Sequence, residues 1–271
     1  MIGPYGVIGD PIAHSLSPFI HTKWLKEYNI DTEYKAHRVS ADDLDSALAE
    51  FERRGFGGLN VTLPHKLGVL AASHTQSEAA KRIGAANTLI WKEKGWHAEN
   101  TDAPGFLKTL EDTHESIAGK TVGVIGAGGA AKAIVEALSS AGAATRIYNR
   151  TYSRAKALAD SFVNTTAIDA SLDNISQYTD EVDLLVNTAS YGYEGKTLDL
   201  GLGKDRLFYD ISYGNAAAAG LHAAAETGWR TLDGLGMLVA QAAFSFQHWF
   251  DIMPETQTML KTCRAHLESD A

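Results

Sequence analysis

Residues 121–138, TVGVIGAGGAAKAIVEAL, leave the chain little freedom of local structure. A short run of β-branched and small apolar residues meets three closely set glycines and passes directly into strong helix formers, so a buried strand must turn sharply into a helix. The segment GAGGAA (126–131) matches G-x-G-x-x-A. In that pattern Gly126 makes the turn, Gly128 lets the backbone approach a pyrophosphate, and Ala131 permits close helix packing. The helix amino terminus adds free N–H groups and the positive end of its dipole. A dinucleotide held by Gly126, Ala127, Gly128, Gly129 and Ala130 is the expected ligand.

The following strand bears on which dinucleotide. An NAD site places Asp or Glu about 20 residues beyond the glycines to accept the ribose 2′-OH. Here Asn149 stands 149 − 126 = 23 residues after Gly126, and the strand ends in Asn-Arg-Thr with no carboxylate. Arg150, with Thr151 and Arg154, offers planar donors suited to a 2′-phosphate, which favours NADP over NAD. The competing reading is a helix start, with Thr151 as cap and the arginines merely solvated.

Strand-like and helix-like stretches alternate through all 271 residues, the pattern of an α/β protein with mostly parallel sheets. Strands are expected at 5–9, 33–39, 57–63 and 95–99, with helices at 18–28 and 40–55, the latter opening on Ser40. A second series runs from Lys120, with strands near 183–189, 206–212 and 229–232, then helices at 233–250 and from Pro254. Two domains are expected: an α/β substrate-binding domain over 1–104, completed by carboxy-terminal helices at 237–271 that return to it, and a Rossmann-type domain over 105–236.

A net charge of −9, without a lysine or arginine cluster, argues against nucleic acid as a partner. No apolar run approaches the ~18 residues of a membrane span. The start MIGPYGVIGDP lacks the features of a signal peptide, and the single cysteine, Cys263, has no partner for a disulfide, so a cytoplasmic location is expected. No residues stand at metal-ligand spacing, and His14 and His65 are given no mechanism. A small-molecule substrate and a monomer or homodimer are expected.

The chemistry should lie at NVTLPHK (60–66), where an apolar strand stops at a proline and presents Lys66. Asp102, in NTDAPG (100–105), also follows a strand and falls where α/β sheets gather ligands. A carbonyl reduced by hydride becomes an alkoxide that needs a proton, which a lysine beside a carboxylate can deliver. A helix start near Pro64 would disfavour the lysine's charge while Asp102 would favour it, so the two could tune its proton affinity. Taken alone, Lys66 reads first as a solvated loop residue and Asp102 as a helix cap.

HSLSP (14–18), NVTLPHK, GAANT (84–88), NTDAPG, GAGGAAKA (126–133), NRT (149–151) and DGLGMLVAQAA (233–243) occur in an order and spacing that resemble the shikimate dehydrogenase family over nearly the whole chain. The resemblance implies NADPH-dependent, reversible reduction of 3-dehydroshikimate to shikimate, on the route to chorismate and aromatic amino acids, with Lys66 and Asp102 as the catalytic pair. It implies that Ser15 and Ser17, alternating in an extended segment, hold the substrate carboxylate, with Tyr213 closing that side. Thr62, Asn87 and Gln241 would grip ring hydroxyls with Asn60 in support. Gly234, Gly236 and Met237, together with Thr188, Ala189 and Ser190, would lie towards the nicotinamide. Two departures from the family pattern are Asn187-Thr188-Ala189-Ser190, where Asn-Ala-Thr-Ser is common, and GNAAAAGL (214–221), where a proline and a threonine are usual. Alternatives are a quinate/shikimate dehydrogenase using NAD or NADP, and a non-catalytic NADP-sensing protein.

Overall fold

The chain divides into two units, one built from residues up to Gly105 together with those from Leu238 onward, the other from Phe106–Met237. The computed structural model describes residues 3–169 and 172–269. The first unit contains β1 (Tyr5–Gly9), α1 (Ser17–Glu27), β2 (Tyr34–Arg38), α2 (Leu44–Arg53), β3 (Gly58–Val61), α3 (Lys66–Ala72), β4 (Thr75–Gln76), α4 (Glu78–Ile83), β5 (Thr88–Lys92) and β6 (Gly95–Glu99). Its sheet has the order β2-β1-β3-β5-β6-β4. Three of the five pairings are parallel; β3–β5 and β5–β6 are antiparallel.

Period-two alternation divides this sheet into two differently furnished faces. Leu59 and Val61 of β3 join Ile8, Leu48, Phe51, Phe56 and Leu89 in one apolar layer. Asn60, between them, is buried but bonds to Ser245 on the carboxy-terminal side. The helix expected over 40–55 begins later, at Leu44, after a 3₁₀ turn, because the Ser40 hydroxyl donates to the Asp43 carboxylate at 2.6 Å instead of capping a backbone N–H. β5 is a strand absent from the sequence expectation. It pairs with β6 across a turn at residues 93–94, marked in sequence only by Gly95 at φ +138°.

α5 (Asp102–Asp112) leads into the second unit, which contains β7 (Thr121–Ile125), α6 (Gly129–Ser140), β8 (Ala144–Tyr148), α7 (Tyr152–Ala159), β9 (Thr165–Ile168), β10 (Leu184–Asn187), β11 (Leu207–Asp210), α8 (Asn215–Glu226) and β12 (Arg230–Leu232). All pairings in its sheet, β12-β11-β10-β7-β8-β9, are parallel. The order reverses direction between β7 and β10, which is the doubly wound arrangement with its ligand crevice at the reversal. Ile125, Tyr148, Leu185, Phe208 and Trp229 form the core on one face. The departure at 214–221 still yields a regular helix, since alanine has high helix propensity and Gly214, at φ +59°, makes the entry that other residues resist.

α9 (Leu235–Phe250) and α10 (Thr256–Ser269) end the chain. Phe246 of α9 packs edge-on to Trp24, and Trp249 lies against Tyr5 and Tyr34, so the returning helix fills the aromatic face of the first sheet. Among the described residues no helix is long and apolar enough to cross a membrane.

Candidate active site

β3 runs out at Val61, and the backbone is then pinned on both sides. The Thr62 N–H donates to the Ile8 carbonyl at 3.0 Å, and the Thr62 carbonyl accepts from His65 N at 3.0 Å. Gly9 has no side chain because a Cβ there would fall 2.5 Å from Thr62 Cγ2. His65, 2% exposed, donates from Nε2 to the Val39 carbonyl at 2.8 Å, so its task is to anchor the start of α3. Lys66 is the first residue of that helix, and its carbonyl accepts from Ala86 N at 2.8 Å.

Lys66 Nζ donates to Asp102 Oδ2 at 2.6 Å, with side chains only 13% and 7% exposed. At that separation and burial the contact is a short charge-assisted hydrogen bond, of the kind that orients both groups. Asp102 opens α5 without serving as its cap. Just ahead of the helix Asn100 accepts from Asp102 N at 3.0 Å while its own amide donates to the Ala85 carbonyl at 2.9 Å. The carboxylate is thereby left for side-chain partners.

Asn87 is the second partner. A backbone N–H can only donate, so the bond from Thr101 N at 2.7 Å fixes which end of the Asn87 amide is oxygen. The NH₂ end then faces Asp102 Oδ1 at 3.0 Å and Gln241 Oε1 at 3.2 Å. Gln241 in turn donates to the Leu238 carbonyl at 2.8 Å. Asn60 accepts from the Tyr34 hydroxyl at 2.7 Å and donates to Ser245 Oγ at 2.9 Å. Lys66, Asp102, Asn87, Gln241 and Asn60 are therefore linked directly or through Thr88, Thr101 and Ser245, three buried hydroxyls that the sequence reading did not single out. A serine set between Phe244 and Phe246 is the signal that Ser245 offers.

Ser15 and Ser17 do not lie in an extended segment. Leu16 between them is helical (φ −79°, ψ −5°), and Ser17 is already the first residue of α1. Ser15 Oγ accepts from Ser17 N at 3.3 Å, which holds the helix start, and the Ser17 hydroxyl lies by the Tyr34 phenol. Burial raises that phenol well above its ordinary pKa, with Ser17 opposing the rise. With a helical residue between them, the two hydroxyls lose the alternation that would turn them the same way on a strand.

In the second unit, Gly126 takes φ +113°, and a Cβ there would fall 2.3 Å from Thr188 Oγ1. Thr188 follows β10 and donates through its hydroxyl to the Ile125 carbonyl at 2.7 Å, so the turns after β7 and β10 meet at the reversal of the sheet. Gly128 is the N-cap of α6 and is exposed, and a Cβ on it would meet nothing within 4 Å. The open space above this helix amino terminus is a cradle of the kind a pyrophosphate fits. Gly129 and Ala130 form the first turn of α6, and Ala127 precedes it.

At the end of β8, Asn149 Nδ2 donates to the Thr151 carbonyl at 2.8 Å. Thr151 occupies the N-cap of α7, but its hydroxyl makes no capping bond. Arg150 and Arg154 are exposed and make no ion pair among the described residues, which leaves their guanidiniums available to an anion. Ala189 N donates to Asn187 Oδ1 at 3.1 Å, and Ser190 is exposed. Asn187 Nδ2 also donates to Asp210 Oδ2 at 2.9 Å; burial raises the pKa of that carboxyl, while Asn187 and Ser212 oppose the rise. Tyr213, half-buried, stands between β11 and α8. Gly234 lacks a side chain for a packing reason, since a Cβ would fall 1.8 Å from the Ile211 carbonyl oxygen, and Met237 is buried within α9.

A doubly wound unit whose glycine turn leaves open space at a helix amino terminus, together with a unit carrying a buried lysine–aspartate pair, is an arrangement suited to a nicotinamide-dependent oxidoreductase. Family models match consecutive parts of the chain: the shikimate dehydrogenase substrate binding domain over residues 7–89, shikimate / quinate 5-dehydrogenase over 108–194, and the shikimate 5′-dehydrogenase C-terminal domain over 234–264. A shikimate dehydrogenase (NADP(+)) from Hyphomonas neptunium is 46% identical, with 97% of each chain covered. The shikimate dehydrogenase structure from Aquifex aeolicus is 31% identical at a TM-score of 0.89, covering 97% of both chains. That of the Thermus thermophilus enzyme in complex with NADP(H) and shikimate is 32% identical at 0.85, covering 97% of this chain and 99% of that one. The chain belongs to the shikimate dehydrogenase family.

Proposed function

We propose that the protein catalyses the NADPH-dependent, reversible reduction of 3-dehydroshikimate to shikimate in the cytoplasm, on the route to chorismate and aromatic amino acids, with Lys66 and Asp102 as the catalytic pair. Bound NADPH would supply the hydride. Gly126, Gly128 and the amino terminus of α6 would hold its pyrophosphate, and Arg150 and Arg154 its 2′-phosphate. Lys66 Nζ would give a proton to the carbonyl oxygen as charge develops there, and take it back in the reverse direction. Asp102 keeps the ammonium aimed, and Asn87 keeps Asp102 aimed. The observation that carries this reading is the 2.6 Å bond from Lys66 Nζ to Asp102 Oδ2 between two largely buried groups.

Thr62, Asn87, Gln241, Ser15, Ser17 and Tyr213 remain the proposed contacts to the substrate, with Asn60 in support. Thr62 supports this best, standing half-buried at the end of β3 four residues before Lys66. The test is absorbance at the nicotinamide band while the purified protein is offered shikimate or quinate with NADP or NAD. Reduction of NADP with shikimate, faster than any other pairing, is the expected result. A preference for quinate with NAD would instead make it a catabolic quinate dehydrogenase, and no reduction with any pairing would overturn both readings.

A further inference from the structure

Ser245 sits between Phe244 and Phe246 on α9 and is fully buried. A hydroxyl in such a place is unfavourable unless it is bonded, and this one is bonded on every side. It lies 2.8 Å from Thr88 Oγ1 and 3.1 Å from Thr101 Oγ1, and those two oxygens lie 3.4 Å apart, so three hydroxyls from β5, the start of α5 and α9 form a triangle. Asn60 Nδ2 donates into it at Ser245 from β3, and Ser245 also reaches the Gln241 carbonyl at 3.0 Å.

The triangle has one outlet towards the ion pair. Asn87 Oδ1 accepts from Thr88 Oγ1 at 3.1 Å and from Thr101 Oγ1 at 3.2 Å, and the other end of the same amide donates to Asp102 Oδ1. A hydroxyl has one proton and two lone pairs, so each corner's choice of acceptor constrains the other two. Remove the Ser245 corner and Thr88 and Thr101 lose the hydroxyl that both contact, while Asn60 loses the shortest bond from its amide nitrogen. Thr88, Thr101 and Ser245 are each 0% exposed, so none of them can touch a substrate.

We propose that Ser245 is a positioning residue: its hydroxyl locks Thr88 and Thr101 so that Asn87 presents its amide to Asp102, and Asp102 its carboxylate to Lys66. The proposal rests on the reading of Lys66 and Asp102 given above. Ser245→Ala is expected to lower kcat for shikimate oxidation about tenfold while KM for shikimate stays within about twofold. Thr88→Val, which removes a second corner at constant shape, should behave alike. Because the corners act as a unit, the double variant should be no slower than about the worse single one. A purely structural hydroxyl would lower the melting temperature and leave kcat alone. Wild-type kcat in either folded single variant, or losses that multiply in the double variant, would overturn the proposal. An inactive wild-type protein, or full turnover in Lys66→Ala, would overturn the underlying reading and the proposal with it.

Discussion

Acidification should destabilise the first unit through one histidine. His21 on α1 is 1% exposed, stacked on Tyr34 at 4.3 Å with 12° between the planes and flanked by Trp24, Phe246 and Trp249. Neither ring nitrogen has a hydrogen-bond partner. Burial pushes its pKa from 6.5 down to about 3; the Asn60 amide opposes the shift from nearby without completing a bond. The folded state therefore demands the neutral ring, while the unfolded chain takes up a proton below about pH 6.5. Stability from this source is complete above that pH and is lost as pH falls from there towards 3. Linkage gives a loss of about 2 kcal/mol between pH 7 and pH 5.

The assay is urea unfolding followed by tryptophan fluorescence at the two pH values, in the wild type and in His21→Leu. Trp24, Trp91, Trp96 and Trp249 belong to the first unit and only Trp229 to the second, so the signal weights the relevant unit. Every other titrating group is common to both proteins and cancels in the comparison. The variant should lose about 2 kcal/mol less than the wild type on going to pH 5. It should also be no less stable at pH 7, because leucine leaves no buried nitrogen unpaired. Equal acid sensitivity in the two proteins would refute the reasoning.

Lys66→Ala should lower kcat by roughly a thousandfold, within the range for loss of a general acid, and should change shikimate binding far less; stopped assays against equilibrium titration separate the two, and unaltered turnover would remove Lys66 from the mechanism. Arg150→Ala should raise KM for NADP by about tenfold, the loss expected for one charge-assisted contact, without harming the use of NAD. Steady-state kinetics with both cofactors decide this, and equal losses would make the arginine structural.

The parts of the fold that sequence reveals are those governed by local rules. The strand, turn and helix at 121–138 form as expected because positive φ at Gly126 and a long helix-forming run act within a few residues of each other. β5 and β9 escaped because they are held by pairing partners: Thr88–Lys92 by β3 and β6, Thr165–Ile168 by β8. At the site, Lys66 and Asp102 could be proposed as partners from sequence, whereas their orientation could not. That orientation depends on Asn87, Asn100 and Thr101, short polar side chains whose individual bonds are set by tertiary approach. At Ser15 and Ser17 the alternating spacing suggests an extended segment, whereas Pro18 in the first turn starts α1 there.

The first unit is interrupted in the sequence, and that has a bearing on synthesis. A ribosome making this polypeptide finishes the first sheet early but must translate all of Phe106–Met237 before α9 emerges. Until then Asn60 and Thr88 lack the Ser245 hydroxyl that both contact, and Tyr5, Trp24 and Tyr34 lack the aromatic rings that cover them. During that interval the nascent amino-terminal segment carries an uncovered apolar face, the kind of surface that makes a partly folded chain prone to association.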